Sequence, residues 1–136
     1  MKLVFLHGWS FDSGFWQAVR TALGPSDAVF LDQGYTREEP CLTLPQEPYL
    51  AIGHSAGALW SLTHMLPHCR GLIAFNGFSR FSQAADFEQG IPTRVLKRML
   101  ARLTDAPAET VTQFRQQFEF CPPCPAPLDL SRLQEG

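Results

Sequence analysis

Gly53-His54-Ser55-Ala56-Gly57 is the segment of this chain with the residue types and spacing for covalent chemistry. The apolar run Tyr49-Leu50-Ala51-Ile52 precedes it, and a helical pattern from Ala56 to Met65, ended by Pro67, follows. A strand that turns into a helix within one or two residues leaves the central serine in a strained backbone conformation. Its hydroxyl is then bared at the carboxyl edge of the sheet. Side chains two positions to either side would collide in so tight a turn, which explains glycine at 53 and 57. The helix N-terminus aims unpaired N–H groups at developing negative charge. The chemistry this suits is acyl transfer, with Ser55 attacking a carbonyl carbon and the Ala56 N–H holding the oxyanion. The plainer reading is a glycine-rich turn joining strand to helix, and the patterns on both sides favour the first.

An acyl-transfer site needs a second N–H donor, and His7-Gly8-Trp9 supplies a place for it. The loop follows another apolar run, Leu3-Val4-Phe5-Leu6, and the Trp9 N–H sits where the donor is wanted, with Gly8 allowing close backbone approach. The base that would take the serine proton is harder to find. His64 and His68 lie toward the far end of the helix that Ser55 opens, with His64 about 13 Å away at 1.5 Å per residue. His54 points away from a normal turn, and His7 belongs to the oxyanion loop. Among the acids downstream of Ser55, Asp86 and Asp105 fall in the helical stretch after Gly77 and Asp129 in the tail. No cofactor and no metal are implied.

The elements that position these residues alternate in type. Strands are expected at 3–6, 28–31, 49–52 and 71–75, each a short apolar run. A helix follows the first strand, with Asp12 and Ser13 as possible caps and Phe15, Trp16, Val19 and Leu23 on one face, stopped by Gly24-Pro25. The stretch 35–48, with Pro40, Pro45 and Pro48, reads as loop. Strands alternating with helices at this spacing predict parallel pairing in an α/β sheet. After Gly77 the pattern becomes purely helical. Pro92 starts a helix whose apolar face carries Ile91, Val95, Leu96, Met99, Leu100 and Leu103, and Ala106-Pro107 breaks it. A second helix, about 108–120, carries Val111, Phe114 and Phe118. The pair predicts a cap laid over the core, dividing the chain into a core at 1–80, a cap at 81–120, and a Pro/Cys loop with the start of a further element at 121–136.

The Ser55 and His7-Gly8-Trp9 motifs, in this order of elements, resemble the α/β-hydrolase superfamily over residues 1 to about 120. Leu6-His7-Gly8-Trp9 with Phe15-Trp16 downstream, and the two-helix cap, are most similar to the pimeloyl-[acyl-carrier protein] methyl ester carboxylesterases of biotin synthesis. The resemblance implies an α/β-hydrolase-like parallel sheet, partial here, with a helical cap. It implies hydrolysis of a methyl ester on an acyl chain borne by acyl carrier protein, with Ser55 as nucleophile and water releasing the acid. Members of the family add two further strands whose loops bring an acid and then a histidine. This sequence offers neither, so the expectation is a fragment or shortened form of a longer hydrolase. Two alternatives stand beside it: a catalytically incompetent hydrolase-fold binding module, and another small-ester or thioester hydrolase or acyltransferase on the same scaffold.

Phe78 and Phe81 read either as core and cap packing or, if the cap closes over Ser55, as lining an acyl pocket together with Trp9 and the apolar cap face. Phe75, Phe114 and Phe118 read as core and cap packing. Arg94, Lys97, Arg98 and Arg102 recur without an intervening acid, mainly opposite Val95, Met99 and Leu103 on a helix. They form either a solvated face or a docking patch for an acidic carrier protein.

Composition limits the remaining possibilities. The chain has 136 residues, 45% of them hydrophobic, which is enough for one domain with a real core. Thirteen acids against eleven bases leave a charge of −2, which excludes the basic excess of a general nucleic-acid binder. No apolar run is long enough to span a bilayer, and the run before His7 is too brief for a secretory signal, so the expected location is cytoplasmic. Cys121-Pro122-Pro123-Cys124 could be half a zinc site or a redox pair, but the flanking prolines forbid the helix a redox pair needs. Two reduced thiols on a stiff loop is the better reading. A partial sheet exposes an edge along which two copies could pair, so a homodimer is a further expectation.

Overall fold

A computed structural model describes residues 1–36, 39–64, 66–118 and 128–136. Four strands, β1 (Lys2–Leu6), β2 (Ala28–Leu31), β3 (Tyr49–His54) and β4 (Cys69–Phe75), form one sheet in the order β2-β1-β3-β4. All pairings are parallel, with Val4 beside Val29 on one side and beside Ala51 on the other. The chain is therefore α/β, as the alternation of apolar runs predicted.

Five helices accompany the sheet among the described residues: α1 (Gln17–Leu23), α2 (Ala56–Thr63), α3 (Thr93–Asp105), α4 (Pro107–Arg115) and α5 (Leu130–Glu135). A 3-10 turn, Ser13–Trp16, precedes α1, and the Asp12 side chain caps it by accepting from the Gly14 N–H at 2.8 Å. Ser13 caps nothing; its own N–H donates to Asp32. The helix α2 stops at Thr63 because His64 is already extended (φ −103°, ψ 146°), two residues sooner than its apolar pattern suggests.

Side chains alternate across the central strands and bury both faces, the signature of parallel pairing. Val4, Leu6, Leu31, Tyr49 and Ala51 form the core on one face, packed against Trp60, Leu66 and Leu72. Phe5, Trp16 and Ile52 form the core on the other, where Phe5 stacks on Phe30 with ring centroids 4.8 Å apart. The strand β4 lies at an edge, and Ile73 and Phe75 are exposed there, so Phe75 is not the core residue its sequence context suggested.

Beyond β4 the helical prediction holds with shifted boundaries. The helix α4 begins at Pro107, where a missing N–H costs nothing, and ends at Arg115. Residues 116–118 are turn, and Phe120, Cys121 and Cys124 lie outside the described residues. The segment expected to begin a further element is α5, capped by the Asp129 side chain accepting from the Arg132 N–H at 3.0 Å. It joins Leu103 of α3, Val111 of α4 and Tyr35 from the loop after β2 in a third apolar cluster, Leu133 being the α5 member. The cap is thus tied to the core through Tyr35. Val95 is a correction: expected on the apolar face of α3, it is 45% exposed, because the face that packs is centred on Leu103.

No described helix is long and apolar enough to cross a membrane.

Candidate active site

The order β2-β1-β3-β4 sets where a ligand can sit. The chain runs from β1 outward to β2, crosses back over β1 to β3, and continues away to β4. The connections diverge between β1 and β3, and in open parallel sheets the crevice at the carboxyl ends of such a pair is the ligand site. His7-Gly8-Trp9 leaves β1 at that point, and Ser55 leaves β3.

Ser55 occupies φ 52°, ψ −119°, a combination that costs a non-glycine residue roughly 1–3 kcal/mol. The surroundings enforce it. A Cβ on Gly53 would stand 2.6 Å from the Ala58 Cα, and one on Gly57 would stand 2.5 Å from the His7 carbonyl oxygen. Neither obstacle is a side chain that could swing aside. The Ser55 N–H donates to the Phe75 carbonyl at 2.9 Å, fastening the turn to β4, while its own carbonyl accepts from Ala58 and Leu59 in the first turn of α2. Gly8 passes closely: a Cβ there would meet the His54 Nδ1 at 2.8 Å and the Ser55 Cβ at 3.2 Å. The two glycine-bearing loops are therefore in contact, and the Trp9 and Ala56 N–H groups make no hydrogen bond among the described residues.

A cavity of about 360 Å³ opens beside Ser55. Trp9, Ala56 and Leu59 form its floor; Phe78 and Phe81 form one wall, with their rings 5.1 Å apart. Leu96, Met99, Leu100 and Leu103 of α3 and Phe114 of α4 close over it, and Leu133 to Gly136 complete the rim. Its polar side chains are few: Ser55, Thr93, Lys97, Gln134 and Glu135. An apolar chamber with sparse polar groups suits an acyl chain. Lys97 thus stands apart from the other basic residues of α3, on the cavity side. Arg102 is bound to α4, donating to Gln113 at 2.8 Å with Glu109 at 3.6 Å. Arg94 and Arg98 remain exposed one turn apart.

The histidines all lie away from the cavity. His54 is stacked on Phe15 (centroids 4.5 Å) and meets the edge of Phe11, behind the turn rather than toward the cavity. Burial, with a smaller contribution from His7, holds its imidazole below the usual value, and its Nδ1 is buried without a described partner. His7 is fully buried; its Nε2 accepts the Gln33 N–H at 3.1 Å, which places the ring proton on Nδ1, donating to the Gly8 carbonyl at 2.9 Å. His64 stacks on Trp60, and His68, at φ 65°, precedes β4. None of the four lines the cavity.

The sequence reading missed the layer beneath the His7-Gly8-Trp9 loop. Asp32 accepts from the Ser13 N–H (2.7 Å) and the Gly34 N–H (2.8 Å), and its Oδ1 lies 3.5 Å from His7 Nε2. Burial alone would raise its pKa, but the His7 contact and the two amides outweigh that and bring it down to about 2. The two amides act whichever ring nitrogen of His7 carries the proton. Gln33 donates to the His7 carbonyl at 3.1 Å and accepts from the Tyr35 hydroxyl at 3.2 Å. Asp32-Gln33-Gly34 closing a buried strand was the available signal, since a carboxylate at a sheet's carboxyl end usually holds a loop. No cluster of three His, Cys, Asp or Glu side chains suited to a metal occurs among the described residues. Neither a family model nor a curated protein matches this chain.

Proposed function

We propose that this chain is an α/β-hydrolase-like serine carboxylesterase acting on an ester of an acyl chain. The observation that carries the reading is Ser55, held at φ 52°, ψ −119° on the border of an apolar cavity. In the reaction, the Ser55 Oγ attacks the ester carbonyl carbon, and the Trp9 and Ala56 N–H groups receive the oxygen as it becomes negative. As the tetrahedral species collapses the C–O bond to the alcohol breaks, the serine proton ends on the departing oxygen, and water then cleaves the acyl-enzyme to the free acid and restores the serine hydroxyl. Trp9, Phe78 and Phe81 hold the acyl chain. A methyl ester carried on acyl carrier protein, as in biotin precursor synthesis, is the substrate that the family resemblance points to. Arg94 and Arg98 are the basic residues of α3 left for a carrier to meet, with Lys97 at the cavity and Arg102 engaged by α4.

One observation favours a second reading, an acyl-binding module without turnover: among the described residues no histidine reaches the cavity to take the serine proton. Treatment with an alkyl fluorophosphonate separates the two. The esterase reading expects an adduct on Ser55 by mass spectrometry, hydrolysis of short methyl esters, and loss of both in Ser55→Ala. An unlabelled protein that still binds medium-chain fatty acids is a binding module. Faster turnover of thioesters than of methyl or p-nitrophenyl esters would move the assignment to a thioesterase.

A further inference from the structure

The helix α4 reaches into the loop that carries the oxyanion donor. Arg115, in its last turn, is 3% exposed, and a buried guanidinium is costly unless its geometry is well satisfied. Two of its contacts go to one residue of the β1 loop: the terminal nitrogen donates to the Ser10 carbonyl, and Nε lies 3.5 Å from the Ser10 Oγ. Its planar head also lies over Phe11, 4.5 Å from the ring centroid. Ser10 is fully buried and takes φ 67°, a left-handed conformation that a serine does not adopt without support. It directly follows Trp9. The indole of Trp9 is fixed from the same side, Nε1 donating to the Leu133 carbonyl at 2.9 Å and the ring meeting Phe114 edge-on at 4.9 Å. Gly8 has no side chain with which to anchor the loop.

We infer that Arg115 is a positioning residue: its fork on Ser10 holds the bend after Trp9 and so presents the Trp9 N–H to the carbonyl oxygen at Ser55. The inference rests on the esterase reading for its chemical consequence, but the placement of Trp9 is measurable without it. The cap then does more than cover the cavity, because the oxyanion site is complete only when α4 is seated. Lys cannot reproduce the two-pronged contact, so Arg115→Lys keeps the charge and loses part of the orientation.

The test compares wild type, Arg115→Met and Arg115→Lys in labelling by an octyl fluorophosphonate. In that reaction the Ser55 Oγ bonds to phosphorus, the P–F bond breaks, fluoride leaves, and the serine proton passes to solvent. The expected result is a ten- to hundredfold lower maximal labelling rate in Arg115→Met, with half-saturating probe concentration within twofold of wild type, and an intermediate rate in Arg115→Lys. Unchanged maximal rates in the folded variants overturn the inference, as does a loss confined to probe binding. If Arg115→Met does not fold, Arg115→Lys alone decides by the same two constants. If wild-type Ser55 is not labelled, the esterase reading fails, and the backbone amide resonance of Trp9 decides the placement. A shift in Arg115→Lys that spares the Trp60 amide supports it, and an unmoved Trp9 amide overturns it.

Discussion

Ser55 holds an unfavourable backbone conformation, so its contribution to stability and its contribution to function oppose each other. Glycine has no Cβ to clash at φ 52°, and it relieves the strain at the cost of a more flexible unfolded chain. Ser55→Gly is therefore expected to raise stability by about 1 kcal/mol, whereas Ser55→Ala, which keeps the Cβ, leaves it nearly unchanged; urea denaturation of the two variants checks this. A second expectation concerns acid. Asp32 is held at about 2 in the folded chain against an ordinary 3.8, so the stability it contributes is complete above pH 5 and is lost as pH falls toward 2. His54, pushed below its ordinary 6.5 by burial, acts in a separate window. As pH drops through that value the unfolded chain takes up a proton that the folded chain refuses, and stability falls. Denaturation midpoints plotted against pH should show two acid limbs. Asp32→Asn should flatten the lower limb and His54→Gln the upper.

At the scale of elements, the cap is held by its own small core. Leu103, Val111, Leu133 and Tyr35 come from α3, α4, α5 and the loop after β2, and each is buried to within 3% of full coverage. Leu103→Ala leaves a void that four separate elements would have to collapse around, at an expected cost of about 3 kcal/mol. Amide hydrogen exchange should then quicken in α3, α4 and α5 together while β1 and β3 keep their protection, since the sheet cores contain none of these residues. Equal protection of α5 in the variant would show that this helix is held some other way. The four strands were legible because each is a short continuous apolar run, although only the central β1 and β3 are buried on both faces and β4 keeps its run at an exposed edge. The cap helices were legible from their 3.6-residue periodicity. What periodicity could not supply was orientation. It placed Val95 on the packed side of α3 when a modest rotation leaves it in solvent, and it treated four basic residues as one patch although Lys97 borders the cavity and Arg102 is held by α4. It also left α5 undefined, because six residues are too few for a helical period to declare itself.

Over the whole molecule, the cavity is where separately stabilised parts meet. Its floor comes from the β1 loop and α2, one wall from the segment after β4, and its roof from α3, α4 and α5. Trp9, Ser55 and Ala56 were visible in the sequence because tight turns demand glycine at fixed spacings, whereas Leu59 was not singled out. The roles of Asp32, Gln33 and Arg115 were not visible, because the contacts that matter reach far along the chain: Asp32 meets Ser13, Gln33 meets His7, and Arg115 meets Ser10 across 105 residues. A ligand that fills this chamber touches core and cap at once and so binds the folded chain but not its separated parts. Mass action then makes binding a measure of how firmly the two are joined. Octanoate at one hundred times its dissociation constant should add about 2.7 kcal/mol to unfolding, which for a chain of this length raises the thermal midpoint by roughly 8 °C. The shift should vanish in Phe78→Asp, which places a charge against the acyl chain, and persist in Ser55→Ala, where the chamber is intact and only the hydroxyl is gone. A midpoint that octanoate does not move, at concentrations that saturate binding by titration calorimetry, would mean that the unfolded chain binds the acid as well as the folded one does, and so that the acid does not depend on a chamber between cap and sheet.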